Sequence, residues 1–264
     1  MTNLNTLFEG VADVEDVDIS DVSKTIANDG WAHLDEQTYN SSPIEKLSMK
    51  NGYHYLNVDP YGENRNRAYL KLELNTASLA FKAAADQSYS QSYKANNVDG
   101  GKKRYFEPMP DSITETQAFK NMVMKNVAMM FALYDFMKED ITIGLHAVRY
   151  VAEHGKPSYS SPVWLHRDDE PLVFVNVIDE SANLIGGDSI IAENIKTINR
   201  VTHLQPFEGM MLTKECFHAV TPMEAPVGTR GHRDILLTTV EEADSVVKLK
   251  PQFQVPSKFP MMLP

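Results

Sequence analysis

The sequence predicts an α+β protein, mainly β, in which an N-terminal half of mixed helix and strand supports an antiparallel β-sandwich or barrel. Three observations carry this. After Asp140, short apolar segments recur at strand length, at 141–151, 172–178, 189–192, 201–204, 209–213, 217–220 and 234–240, punctuated by Gly, Pro, Asn and Asp. Before it, Phe119, Met122, Val123, Val127, Met130, Leu133, Tyr134 and Met137 form one stripe at helical spacing. Ser112-Ile-Thr-Glu115, just upstream, has capping-box spacing. Residues 67–74 alternate, with Ala68, Leu70, Leu72 and Leu74 on one face and Arg67, Tyr69, Lys71 and Glu73 on the other, as a half-buried strand does.

The remaining elements follow in chain order. Ile19, Val22 and Ile26 sit at helical spacing, and Asn28-Asp29-Gly30 stops that helix. Trp31 to Leu34 reads as a short strand. Residues 87–110 are polar and turn-rich, so a long loop is expected, with 87–107 as a lid over a site. No linker-like composition divides the chain. It is therefore read as one domain: mixed α/β support and lid over 1–140, a β-core over 141–241 and a C-terminal tail over 242–264.

Composition removes several classes of function. The chain has 264 residues, 42% of them apolar, enough for one large core. A net charge of −11 argues against a nucleic-acid groove, which needs a basic face. Acids crowd the start of the chain at Asp13, Glu15, Asp16, Asp18 and Asp21, a solvated segment. A lone cysteine, Cys216, precludes a disulfide framework within the chain. No apolar stretch approaches a membrane span, and the opening residues lack the pattern of a secretory signal. A cytoplasmic protein without nucleic-acid or membrane partners is expected. A homo-oligomer is compatible with the sequence.

The chemistry concentrates in the second half. His166 and Asp168 stand two apart at the mouth of the apolar run Leu172–Ile178, so in an extended segment both side chains face one way. Charge is costly there unless something pairs with it. A second histidine, His218, lies in another apolar segment closed by Pro222. Two histidines and one carboxylate make the facial triad that leaves coordination positions open on non-haem Fe(II). Arg233 shares a strand face with Ile235, Leu237 and Thr239, which aims a guanidinium inward, where it must find an anion.

Together, His166-x-Asp168, the distal His218 and Arg233 fifteen residues later resemble the Fe(II)/2-oxoglutarate-dependent dioxygenases. The stretch LHRDDEPLVFVNVIDESANLIGGDSIIA, followed by FHAVTP and HRDILLTTVE, resembles the bacterial branch that hydroxylates free amino acids, the isoleucine dioxygenase-like family. Gly186-Gly187-Asp188-Ser189 belongs to that likeness, as do, more loosely, Arg67-Ala68-Tyr69 and the stretch from Gly100-Gly101 to Pro108. The resemblance is strong over 140–241 and loose over 60–110. It implies a double-stranded β-helix, a jelly-roll or cupin-like core, with helices supporting it. His166, Asp168 and His218 would ligate Fe(II), and Arg233 would hold the distal carboxylate of 2-oxoglutarate. With O2, the implied reaction hydroxylates a free L-amino acid, aliphatic like isoleucine, leucine or methionine, and releases succinate and CO2.

The resemblance also suggests pocket residues. Its members carry an Arg on the strand before His166, so Arg149 is the candidate for the amino acid's carboxylate. Trp164 and Asn176 are candidate pocket-lining residues, and Thr239 or Thr213 could add a hydroxyl to the cosubstrate carboxylate. Arg230 is a rival to Arg233, and His146 and His232 are alternative ligands. Cys216, two residues before His218, would be open to oxidation near iron. Two other readings compete: a peptide or protein hydroxylase, which would need an open groove, and a non-enzymatic cupin-like metal binder, which would not need Arg233.

Overall fold

The computed structural model describes residues 18–93, 100–160, 164–241 and 247–254. Helix α1 (Ser20–Asp29) ends where Gly30 adopts φ 73° and returns its N–H to Ile26, and strand β1 (Trp31–Leu34) follows at once. Helix α2 (Pro43–Gly52) opens on a capping box between Ser42 and Glu45 with Pro43 at its first position. Strands β2 (Arg65–Asn75), β3 (Phe81–Ala83) and β4 (Glu107–Pro108) precede helix α3 (Asp111–Thr114) and the long helix α4 (Gln117–Leu133). Then come β5 (Tyr134–Phe136), β6 (Asp140–Glu153), β7 (Leu172–Glu180), β8 (Ser189–Asn194), β9 (Thr197–Thr202), β10 (Gly209–Thr213), β11 (Phe217–Val220), β12 (Arg230–Val240) and β13 (Val247–Leu249).

All seven segments expected after Asp140 are strands, and they form two facing sheets. The major sheet runs β1-β10-β7-β12-β6-β2-β3, with β4 added alongside β2. The minor sheet runs β11-β8-β9, and the His166 segment extends it by pairing with His218. This is the double-stranded β-helix. The N-terminal half does more than support it: β1 closes one edge of the major sheet, and β2 and β3 close the other.

One face of the major sheet packs on helices. Leu70, Leu72 and Leu74 of β2, Leu145 of β6, Phe174 of β7 and Leu236 of β12 pack in one cluster with Phe119, Met122, Val123 and Met130 of α4. Full burial contributes about 1.5–3 kcal/mol for each large side chain. The other face meets the minor sheet, where Ile191 joins Val173, Val177 and Leu212. The first polar alternates of β2 therefore do not face solvent. Arg67 and Tyr69 are buried at 9% and 2% exposure on the inner side, a placement that amphipathic alternation alone could not reveal.

Two helix boundaries differ from expectation. Ser112 and Glu115 do not cap α4; the one-turn α3 occupies that stretch, and the Thr116 hydroxyl caps α4 by accepting from Phe119 N. The stripe ends at Leu133, because Tyr134 turns into β5 and pairs with β13; Met137 is 59% exposed. Among the described residues, no helix is long and apolar enough to cross a membrane.

Candidate active site

The antiparallel bridge between His166 and His218 brings two imidazoles together at the end of the minor sheet. Backbone N–H groups bond reciprocally to the two carbonyls at 3.0 and 2.9 Å, and the ring centroids lie 4.4 Å apart. Each ring's Nδ1 faces a carbonyl, Trp164 O at 3.1 Å and Cys216 O at 3.3 Å. A carbonyl only accepts, so each Nδ1 carries the proton and each Nε2 presents a lone pair. The Asp168 carboxylate stands beside both, 3.7 Å from His166 Nε2 and 3.3 Å from His218 Nε2, so three electron-pair donors with no proton among them face one point. Burial and the His218 ring push the His166 pKa down, against the pull of Asp168.

These three residues fit a metal. Their donor atoms lie within 4.8 Å of one another, near the roughly 3 Å separation that adjacent ligands take around a first-row ion. All three are half-buried, which leaves a route for exogenous ligands. A second cluster, Asp179, His232 and Asp234, is close enough for a metal but is already neutralised. Lys50 lies 2.8 Å from Asp179, and Arg149 grips Asp234.

Arg149 is therefore not free for a substrate. Its Nε and Nη2 donate to the two Asp234 oxygens at 2.7 Å each, on the helix-covered face of the sheet. The structure does not bring Arg149, the expected holder of the substrate carboxylate, to the triad: β-strand alternation carries it to the side away from His166. Asn176 lies on that same side. It is fully buried under α4, donating to the Tyr39 hydroxyl at 2.6 Å and accepting from Asn126 at 3.0 Å. Trp164 is 50% exposed, and its ring has no described contact with the triad; its carbonyl is what serves the site.

Arg233 is inward and buried, at 3% exposure. Its Nη1 donates to Glu180, and its Nη2 lies 3.3 Å from the Leu204 carbonyl. Gly187, at φ +80°, approaches this side chain closely. Burial lowers the Arg233 pKa to about 10, so this guanidinium gains from further negative charge, which fits a dicarboxylic cosubstrate. Thr239 cannot share that role. Six residues along a strand separate it from Arg233 by about 20 Å, and its hydroxyl donates to Gly144 O. Arg230 is paired with Glu153 at the surface. Cys216 is buried among Val173, Leu204 and Leu212, and burial raises its thiol to about 12.

A cluster of buried polar side chains that the sequence motifs do not mark adjoins the triad through Glu170. Glu170, two residues after Asp168, is 8% exposed and accepts from the Tyr89 hydroxyl at 3.1 Å. Burial first, and the Asp168 charge second, raise its pKa to about 7. Arg67 donates to His146 Nδ1 at 2.7 Å, so His146 is neutral with its proton on Nε2. Burial and the Arg67 charge hold the His146 pKa well below its ordinary value. Tyr69 stacks on His146 at 4.5 Å and donates to Glu241 at 2.5 Å. The expected lid segment supplies Tyr89, Arg104 and Phe106, and Ser92 N bonds to Asp169 at 3.1 Å. Part of that segment, residues 94–99, lies outside the described residues. The available sequence signal was the run of charged alternates on β2, together with Glu170 in the acid cluster after Asp168.

Comparison with known proteins supplies the chemical context. The model of the 2OG-Fe dioxygenase family matches residues 50–239. L-isoleucine-4-hydroxylase of Bacillus thuringiensis is 39% identical over 189 residues, 71% of this chain and 79% of that protein. The 3(1)-hydroxy-L-isoleucine 4-dioxygenase of Pantoea ananatis (strain AJ13355) is 34% identical over 233 residues, 82% of this chain and 94% of that protein. The crystal structure of IDO from Bacillus thuringiensis superposes with a TM-score of 0.75 at 30% identity, over 88% of this chain and 100% of that one.

Proposed function

The chain belongs to the 2OG-Fe dioxygenase family, and from that premise we propose that it hydroxylates a free aliphatic L-amino acid, isoleucine-like in its side chain. It is an Fe(II)- and 2-oxoglutarate-dependent enzyme. In this reading His166, Asp168 and His218 hold the iron, and Arg233 holds the far carboxylate of 2-oxoglutarate while Glu180 shares or yields its place. When bound, iron and cosubstrate supply the oxidising chemistry, with succinate and CO2 as by-products. The protein orients the substrate and keeps water away from the reacting bond.

The observation that carries the reading is the buried polar cluster that adjoins Asp168 through Glu170. Its charged groups are buried and of both signs, as a zwitterion requires. Tyr89 against Glu170 and Ser92 against Asp169 cover it from the lid side. A peptide substrate would need an open groove at that place. Two relatives whose names carry hydroxylation or dioxygenation of isoleucine or a hydroxyisoleucine, at 39% and 34% identity, support the substrate class.

The test is succinate release by purified protein with Fe(II) and 2-oxoglutarate across a panel of free amino acids, with mass spectra of each mixture. Substrate-dependent succinate and a product heavier by one oxygen are expected with at least one branched aliphatic amino acid. Coupled turnover with a peptide and none with any free amino acid would overturn the proposal.

A further inference from the structure

We infer that Arg67 is the residue that holds the carboxylate of the substrate amino acid, an inference that rests on the function proposed above. Charge on the inner face of the major sheet is out of balance. Arg65, Lys71 and Arg233 lie on the same face of the major sheet, and each meets a carboxylate: Asp59, Glu241 and Glu180 respectively. Arg67 lies among them at 9% exposure and pairs with none among the described residues. Its Nη2 is satisfied by a neutral imidazole, and its Nε has no hydrogen-bond partner. Phe106, 4.2 Å from the guanidinium carbon, and Tyr89, at 5.4 Å, cover it with ring faces that carry no charge. A buried cation left this way costs several kcal/mol unless an anion arrives.

The place of that anion is joined to the iron ligands through Tyr89 and Glu170. A line of contacts runs from Asp168 through its near neighbour Glu170 to the Tyr89 hydroxyl, and the Tyr89 ring lies against Arg67. His146 holds one corner of the guanidinium, and the buried Nε is left without a partner, so a carboxylate that displaced its covering side chains would complete it. Arg104 flanks the other side of Tyr89, 4.8 Å from the ring centroid, and its Nε is also unpartnered. It adds positive potential from the lid segment, whereas Arg67 projects from β2, which is paired with β6 along its whole length. Arg67 is thus the rigid anchor. Glu170, which meets no cation among the described residues, supplies the opposite charge that an ammonium needs. Arg149 has no such vacancy, because both its inward nitrogens are bound to Asp234.

The experiment compares an amino acid with its carboxamide, L-isoleucine against L-isoleucinamide, in wild-type protein, Arg67→Gln and Arg67→Lys. Loss of one partner from a buried charge pair lowers kcat/KM by about 100-fold or more. Wild-type protein should therefore prefer the acid by at least about 100-fold. In Arg67→Gln that preference should collapse to within about fivefold, with the KM for 2-oxoglutarate unchanged, and Arg67→Lys should retain part of it. Thermal melting supplies an independent readout. Because the charge is unpaired, Arg67→Gln should melt no lower than wild type, whereas a purely structural arginine would lower the melting temperature and leave the acid preference intact.

An acid preference that survives in Arg67→Gln, or that is absent in wild type, would overturn the inference while leaving the hydroxylase reading in place. So would an increase in KM confined to 2-oxoglutarate. Should Arg67→Gln not fold, the ratio in Arg67→Lys decides. Absence of coupled turnover with every free amino acid would overturn the proposed function and this inference together.

Discussion

Arg149→Gln should cost the protein its stability and not its affinity for substrate. Asp234 has no exposed side-chain surface, and its two oxygens receive the Arg149 Nε and Nη2 at 2.7 Å each. Removing the cation strands a buried carboxylate, which costs about 3–5 kcal/mol. In a chain of this size each kcal/mol lowers the melting temperature by about 2–4 °C, so a fall of about 6–20 °C is expected. The loss should depend on pH. Burial already raises the Asp234 pKa, against the pull of Arg149, and loss of the partner raises it further. A carboxyl with a raised folded-state pKa contributes stability that is present at low pH and lost as pH climbs through that pKa. The variant should therefore be closer to wild type at pH 5 than at pH 8. Calorimetry at both pH values, with amino-acid KM measured well below the melt, makes the comparison, and Arg149→Gln with Asp234→Asn should recover part of the loss. A melting temperature within about 2 °C of wild type, combined with a large rise in amino-acid KM, would refute the reasoning and return Arg149 to the substrate site.

Other expectations follow from the same geometry. Asp168→Ala should weaken Fe(II) binding by at least about 100-fold in anaerobic titration, because it removes the one anionic donor of the three; wild-type affinity would contradict the ligand set. Tyr39→Phe should cost about 1–3 kcal/mol by calorimetry, since the hydroxyl accepts from Asn176 and donates to Asn126 in a buried network. It should leave KM unchanged, because that network lies on the helix side. In metal-free protein, Glu170 has a folded pKa raised from 4.5 to about 7, so its contribution is present below pH 4.5 and fades as pH rises through 7. Glu170→Gln should remove that slope and raise stability at pH 8 by on the order of 3 kcal/mol; an unchanged slope in melting temperature against pH would contradict the burial of this acid.

Strand periodicity made much of this fold legible in advance. The seven apolar segments after Asp140 are bounded by turn residues and locked by cross-strand pairing, so local pattern and tertiary structure agree. His166, Asp168 and His218 could be singled out because polar residues at the ends of apolar strands need a reason to be there. The substrate side was harder to read. Alternation shows that Arg67 and Arg149 lie on chosen faces of their strands, but not which face meets the minor sheet and which meets helices. Both faces of the major sheet are covered, so polarity no longer marks solvent. That is why the sequence could not show that Arg149 and Asn176 lie on the helix side. Glu170 was hidden in an acidic run, where its burial depends on Tyr89, a residue 81 positions away. The start of α4 was misplaced because Thr116 offered a second cap four residues beyond Ser112.

The most direct test of the account is where the two atoms of O2 go. With 18O2, Fe(II), 2-oxoglutarate and a branched aliphatic L-amino acid, one labelled oxygen should appear in succinate and one in the hydroxylated amino acid, at one succinate per product, and Asp168→Ala should form neither. Succinate formed at a rate indifferent to every free amino acid, with no labelled amino-acid product, would contradict it.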